Sequence, residues 1–271
     1  MSISNLIAFY NGCDEKDVFH DVAGKVLDNL DKMRDLGIGK LASLCFVSPA
    51  TISRFCKKIG YDSFVSFKRS MSSARHNHAF EGSIIPQNSI AENEDEIDAY
   101  YRAVMQTAQV LSHSFNREEV SHFTDALRSC KRVSFFAINM PKCVIDLQAL
   151  LILDKKHVTA HTARALQWKD AQSLGLGDMA CLIKTSSGND SYLESIYKIT
   201  AESGALTSYI TNVRQSCLLD KVDYPWYFDG TLHRVDNIAT EMVMQVLTIF
   251  YKNKYMSVPY PTVEIPSAKI I

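Results

Sequence analysis

The sequence predicts a two-domain protein, an all-α amino-terminal domain followed by an α/β domain with a parallel sheet flanked by helices. Three observations predict it. Up to about residue 78 the apolar residues recur every three or four positions, the spacing of amphipathic helices. Residues 81 to 100 then hold six anions (Glu81, Glu92, Glu94, Asp95, Glu96 and Asp98) and no Lys or Arg, together with Gly82, Pro86 and several Ser and Asn, a composition of exposed connection. Beyond it, short apolar runs alternate with helical segments, which argues for a parallel sheet covered on both faces. The boundaries that follow are a helical domain over 1–78, an acidic linker over 79–104 and an α/β domain over 105–271.

At 271 residues, with 46% hydrophobic and 22% charged residues, the chain is long enough to bury two cores. A net charge of −1 excludes a polycation that coats nucleic acid with its whole surface, so an anionic partner has to be met locally. Seven cysteines (Cys13, Cys45, Cys56, Cys130, Cys143, Cys181 and Cys217) form no CxxC pair, which argues against a disulfide framework or zinc knuckle and fits a reducing cytosol. No basic segment with an apolar core opens the chain, and the longest apolar run, Met242 to Tyr251, is interrupted by Gln245 and Thr248, so a cytoplasmic location is expected.

In the first domain, Val18, Val22, Val26, Leu30 and Met33 predict one helix over Val18–Leu36 that stops at Gly37. A short helix over 39–45 follows, then a tight connection. The next helix begins at Pro49, with Ser48 as its cap, in the run "SPATISRFCKKIG". Its Ile52, Phe55 and Ile59 face a core, which turns Ala50, Thr51, Ser53, Arg54, Lys57 and Lys58 outward. Two helices, a tight turn and an outward face of hydroxyls and cations make a helix-turn-helix. Ser48, Thr51 and Ser53 can approach base edges or phosphates, and Ala50 lies beside them. Arg54 can meet guanine or a phosphate with two parallel bonds, and Lys57 and Lys58 suit phosphates. Between Thr51 and His76, six cations (Arg54, Lys57, Lys58, Lys68, Arg69 and Arg75) stand against one anion, Asp62. The expected partner is double-stranded DNA.

The stretch "IGKLASLCFVSPATISRFCKKIGYDSFVSFKRSM", residues 38 to 71, resembles the DNA-binding domain of the RpiR family of bacterial transcriptional regulators. Lys58, Gly60, Tyr61, Phe64, Phe67 and Lys68 fall where that pattern expects them. The resemblance implies a carboxy-terminal SIS domain that senses a phosphosugar, and pairing of SIS domains into a homodimer or higher oligomer. It thus implies a regulator of sugar or amino-sugar genes, with two alternatives: a body that has lost its ligand and only dimerises, or a phosphosugar isomerase with a helical extension.

Strands are predicted at 132–138, 179–185, 206–211 and 222–228, with helices over 140–153 and 190–203. Ligands of such sheets bind at the carboxyl ends of the strands. There "TSSGND", Thr185 to Asp190, resembles the SIS phosphate loop: Thr185, Ser187 and Gly188 keep its pattern, while Asp190 puts a carboxylate where a hydroxyl is usual. Lys184 pairs with or offsets that charge. The turn "AINMPKC", 137–143, lacks the family's glycine and offers Asn139 and Lys142 instead. Thr211 and Asn212 resemble the loop after the next strand. The ligand set expected is Asn139, Thr185, Ser187, Gly188, Asp190 and Thr211.

Sugar isomerisation needs an acid or base, and no motif singles out Glu194, Glu202, His233 or Glu241, so no enzyme activity is expected. His76 with His78, and His157 with His161, lack nearby Cys or paired carboxylates, so neither a metal nor a cofactor is expected. The last helix, about Asp236 to Tyr251, has an apolar arc broad enough for a second surface, within the domain or across a dimer.

Overall fold

The structure, a computed structural model, describes residues 3–80, 94–114, 116–138, 140–184, 191–228 and 236–256. The amino-terminal head consists of α1 (Ile3–Gly12), α2 (Val18–Asp28), a short 3₁₀ helix (Leu30–Lys32), α3 (Ile38–Leu44), α4 (Pro49–Lys58) and α5 (Phe64–Phe80). Asp17 caps α2 by accepting the Phe19 N–H at 2.9 Å. The helix expected to run to Leu36 ends at Asp28, because Asn29 caps it, donating its side-chain amide to Lys25 O at 2.9 Å. Leu30 and Met33 keep the apolar spacing from a 3₁₀ helix and a turn, and Met33 is still fully buried. Gly37 starts α3 rather than stopping α2.

The head has its own core, centred on Phe55 of α4. Its ring lies 5.8 Å from Phe9, 6.0 Å from Phe19 and 5.8 Å from Phe67, with Val22, Val26, Leu41 and Ile52 around them. The edge-on pairs with Phe9 and Phe67 add to the apolar burial that drives the packing.

The body begins with α6 (Glu96–Ser114), which starts inside the expected linker: Asp95 caps it by accepting the N–H groups of Ile97 and Asp98, each at 2.9 Å. Part of the acidic run is therefore the first turn of a helix, where carboxylates complement the helix dipole. Then follow α7 (Arg117–Ser129), β1 (Arg132–Ala137), α8 (Val144–Leu153), β2 (His157–Thr159), α9 (Arg164–Ala171), β3 (Asp178–Lys184), α10 (Ser191–Glu202), β4 (Leu206–Thr211), β5 (Tyr224–Tyr227) and α11 (Asp236–Tyr255).

All pairings among the described strands are parallel, in the order β2-β1-β3-β4-β5. Alternate residues sort to two faces. Val133, Phe135, Met179, Cys181, Ile183 and Ile210 face α7, α8 and α11, whereas Phe136, Ala180, Leu182 and Tyr209 face α9 and α10. β2 was not expected: three residues are too few to show a period. Nor was α9, whose buried positions include Gln167 and Asp170. β5 carries Pro225, which has no N–H and suits an edge. Among the described residues, no helix is long and apolar enough to cross a membrane.

Candidate functional site

Two regions gather the residues singled out by the sequence. The first is the exposed face of α4. Ser48 caps the helix, its Oγ accepting the Thr51 N–H at 3.1 Å and lying 2.9 Å from Thr51 Oγ1. Arg54 donates from Nη2 to Thr51 Oγ1 at 3.4 Å. Ser48, Thr51 and Arg54 thus form a row along one side of the helix, with Pro49, Ala50 and Lys57 exposed and Ser53 half-buried. Residues 36 to 61 contain Lys40, Arg54, Lys57 and Lys58 and neither Asp nor Glu. Lys68, on α5, is partly exposed.

Lys58, expected as a phosphate contact, also has a partner within the head. Its ammonium pairs with Asp17 Oδ2 at 2.9 Å and lies 4.7 Å above the Phe19 ring and 5.6 Å above Phe9, so it ties α4 to the start of α2. The Phe19 N–H and Lys58 hold the Asp17 carboxyl below its ordinary value of 3.8. A depressed carboxyl stabilises the fold fully above the unfolded value and loses that contribution as pH falls through the lower folded one. Acid titration of the head therefore lowers its stability below about pH 4, and Asp17→Asn flattens that part of the profile, as read by circular dichroism.

The helix boundaries flanking this face are set by backbone geometry. α4 ends with Gly60 at φ 91, where Gly60 N–H donates to Lys57 O at 3.0 Å and Tyr61 N–H to Cys56 O at 2.8 Å. The same pair of bonds ends α3: Phe46 N–H donates to Ser43 O at 3.2 Å and Val47 N–H to Ala42 O at 2.9 Å, with Phe46 at φ 55. This closure favours glycine, and a side chain in the left-handed region costs about 1–2 kcal/mol.

The second region lies at the carboxyl ends of the strands. The strand order reverses between β1 and β3, where open parallel sheets hold their ligands. Asn139, Thr185, Ser187, Gly188 and Asp190 lie outside the described residues. Thr211 is fully buried, and its Oγ1 accepts the Val213 N–H at 3.0 Å. Beside it Asn212 is buried, with Oδ1 lacking a hydrogen-bond partner among the described residues. Lys184, only 5% exposed at the end of β3, has its pKa pushed down by burial, against the opposite influence of Cys217 and Glu194. The Cys217 thiol donates to Glu194 Oε1 at 3.1 Å, which pushes the thiol pKa up.

Gln167, which the sequence did not mark, organises this end of the sheet. β2 runs only opposite Arg132 to Ser134, so Ala137 needs other partners on that side. Gln167 supplies both: Oε1 accepts the Ala137 N–H at 3.2 Å and Nε2 donates to Ala137 O at 2.9 Å and His161 O at 2.7 Å. Tyr192 donates its hydroxyl to the same Oε1 at 3.0 Å, and burial pushes its pKa up to about 12. Arg164 lies over the Tyr192 ring at 5.1 Å, an exposed cation at the same end of the sheet. Among the described residues no His, Cys, Asp and Glu cluster could hold a metal.

With this geometry in view, the sequence profile "Helix-turn-helix domain, rpiR family" matches residues 19–77. Residues 19–77 are thus similar to the helix-turn-helix domain of the rpiR family. An HTH-type transcriptional regulator of Caldanaerobacter subterraneus is 28% identical over 207 residues, covering 74% of this chain and 71% of that one. The HTH-type transcriptional regulator HexR of Escherichia coli is 22% identical over 236 residues, covering 83% and 80%. Among solved structures, the Vibrio vulnificus NanR protein complexed with ManNAc-6P superposes with a TM-score of 0.52 at 14% identity, over 93% of this chain and 92% of that one. A helical head and a parallel-sheet body thus occur together in a known fold.

Proposed function

We propose that this chain is an RpiR-type transcriptional regulator that binds double-stranded DNA through α4 and senses a phosphosugar at the carboxyl ends of its strands. The observation that carries it is the row Ser48, Thr51 and Arg54 on an exposed helix face whose surrounding 26 residues, 36 to 61, hold no acidic group. Ala50 and Ser53 stand beside that row, and Lys57 and Lys68 supply charge for phosphates. Lys58 acts from within the head by fixing the angle of α4.

For the effector, the buried, unpartnered Asn212 Oδ1 and the cations Lys184 and Arg164 suit a polar, anionic ligand, and the NanR complex holds ManNAc-6P on the same fold. Thr211, with its Oγ1 engaged by Val213, shapes the turn beneath that ligand, and the expected loop residues Asn139, Thr185, Ser187, Gly188 and Asp190 complete the set. The relatives are named as regulators, and Glu194, an acid/base candidate, accepts the Cys217 thiol; we assign the chain no catalytic role. It acts in the cytoplasm, where its DNA is.

A single recognition helix reads few base pairs, so a second copy is needed. Ile97, Tyr101 and Met105, at i, i+4 and i+8 on α6, are exposed, as are Ile145 and Ile152 on α8 and Ile249 on α11, which packs against both. This apolar layer is the proposed dimer face, and effector binding couples to DNA by favouring one arrangement of the two heads.

The test uses a duplex selected by the protein from a random-sequence pool. Affinity should fall linearly with salt on a log–log plot, and Arg54→Ala should cost about 1–3 kcal/mol on the selected duplex and little on a scrambled one. Calorimetry with hexose and amino-sugar phosphates should give heat for at least one and none for its unphosphorylated sugar. Absence of salt-sensitive duplex binding would overturn the assignment.

A further inference from the structure

Phe46 combines two disadvantages at one position. Its backbone adopts φ 55 in a helix-ending turn, the geometry that Gly60 and Gly204 supply after α4 and α10 in the same chain. The residue is also 92% exposed and takes no part in the head core. The comparable position after α8 is filled by Lys155, at φ 65, whose side chain is content in water. A phenyl ring there gains nothing inside this chain. An unfavourable conformation that holds a functional group in place points outward, to a partner.

The location names the partner. Phe46 stands two residues before the Ser48 cap, at the end of α4 where Pro49 and Ala50 are exposed, and its backbone is clamped by bonds to Ser43 and from Val47 to Ala42. The residue is therefore exposed next to the start of α4 in the chain, inside the stretch that holds four cations and no acid. Such surroundings attract a polyanion, and the apolar group that double-stranded DNA offers in its major groove is the thymine 5-methyl. Given the proposed docking of α4, on which this rests, we infer that Phe46 is a specificity contact that packs against a thymine methyl at the edge of the site read by Ala50, Thr51 and Arg54.

The experiment compares the full chain with Phe46→Gly on the duplex selected by the wild type, on a scrambled duplex, and on a series in which each thymine is replaced by deoxyuridine. Glycine is at ease at this φ, so the variant keeps its melting temperature or raises it. Its affinity for the selected duplex falls roughly 5- to 20-fold, as expected for loss of one buried apolar contact, and its affinity for the scrambled duplex is unchanged. One deoxyuridine substitution weakens the wild type several-fold and leaves the variant unaffected. Undiminished binding by Phe46→Gly overturns the inference, as does an equal loss on both duplexes, which marks a backbone contact, or dissociation of the protein into monomers, which marks a protein contact. If the wild type selects no duplex, or Arg54→Ala binds as tightly as wild type, α4 does not enter a groove and Phe46 has no base to meet.

Discussion

Phe55→Ala destabilises the head by about 3–5 kcal/mol and abolishes duplex binding while leaving the body folded. Phe55 is fully buried and joins α1, α2 and α5 to α4 through Phe9, Phe19 and Phe67, so truncation removes the group around which four helices meet. The neighbouring Arg54 is exposed to solvent, so the packing face and the exposed face of the helix are carried by adjacent residues. Both tryptophans, Trp168 and Trp226, lie in the body. Their fluorescence should keep its urea midpoint in the variant while circular dichroism shows early loss of helix. A shared, lowered midpoint would show instead that head and body unfold as one unit.

The second large effect falls on the body. Gln167→Leu preserves volume but leaves the Ala137 N–H and C=O, the His161 C=O and the Tyr192 hydroxyl without their partner. Each unsatisfied buried group costs about 1–3 kcal/mol, and partial access of water to the strand end reduces the total, so a loss of about 2–4 kcal/mol is expected. The tryptophan-detected urea midpoint should drop accordingly, with duplex binding retained at low denaturant. A midpoint within experimental error of wild type would mean that the amide is dispensable to the end of β1.

What the sequence made legible follows from the range over which each signal acts. Ser48 and Pro49 determine the start of α4 with bonds three residues long, and that boundary is observed as expected. β1 and β3 are largely apolar on both faces, so they stand out without any knowledge of their neighbours. The end of α2 is hidden in the sequence because Leu30 and Met33 continue the helical spacing beyond Asn29, whose capping bond leaves no periodic trace. α9 is not legible in the sequence because Gln167 and Asp170 look like surface residues, and their burial follows from partners distant in the chain, Ala137 for Gln167 and Arg132 for Asp170. Lys58 resembles its neighbour Lys57 in sequence, but its partner Asp17 lies 41 residues away. The exposure and backbone angle of Phe46 are likewise facts of the folded turn.

The two margins of the sheet carry a consequence for how copies of the chain meet. One is a strand of three residues, and the other carries a proline and is four residues long. Among the described residues, neither offers an incoming strand a long row of free amides, which disfavours edge-to-edge pairing of sheets.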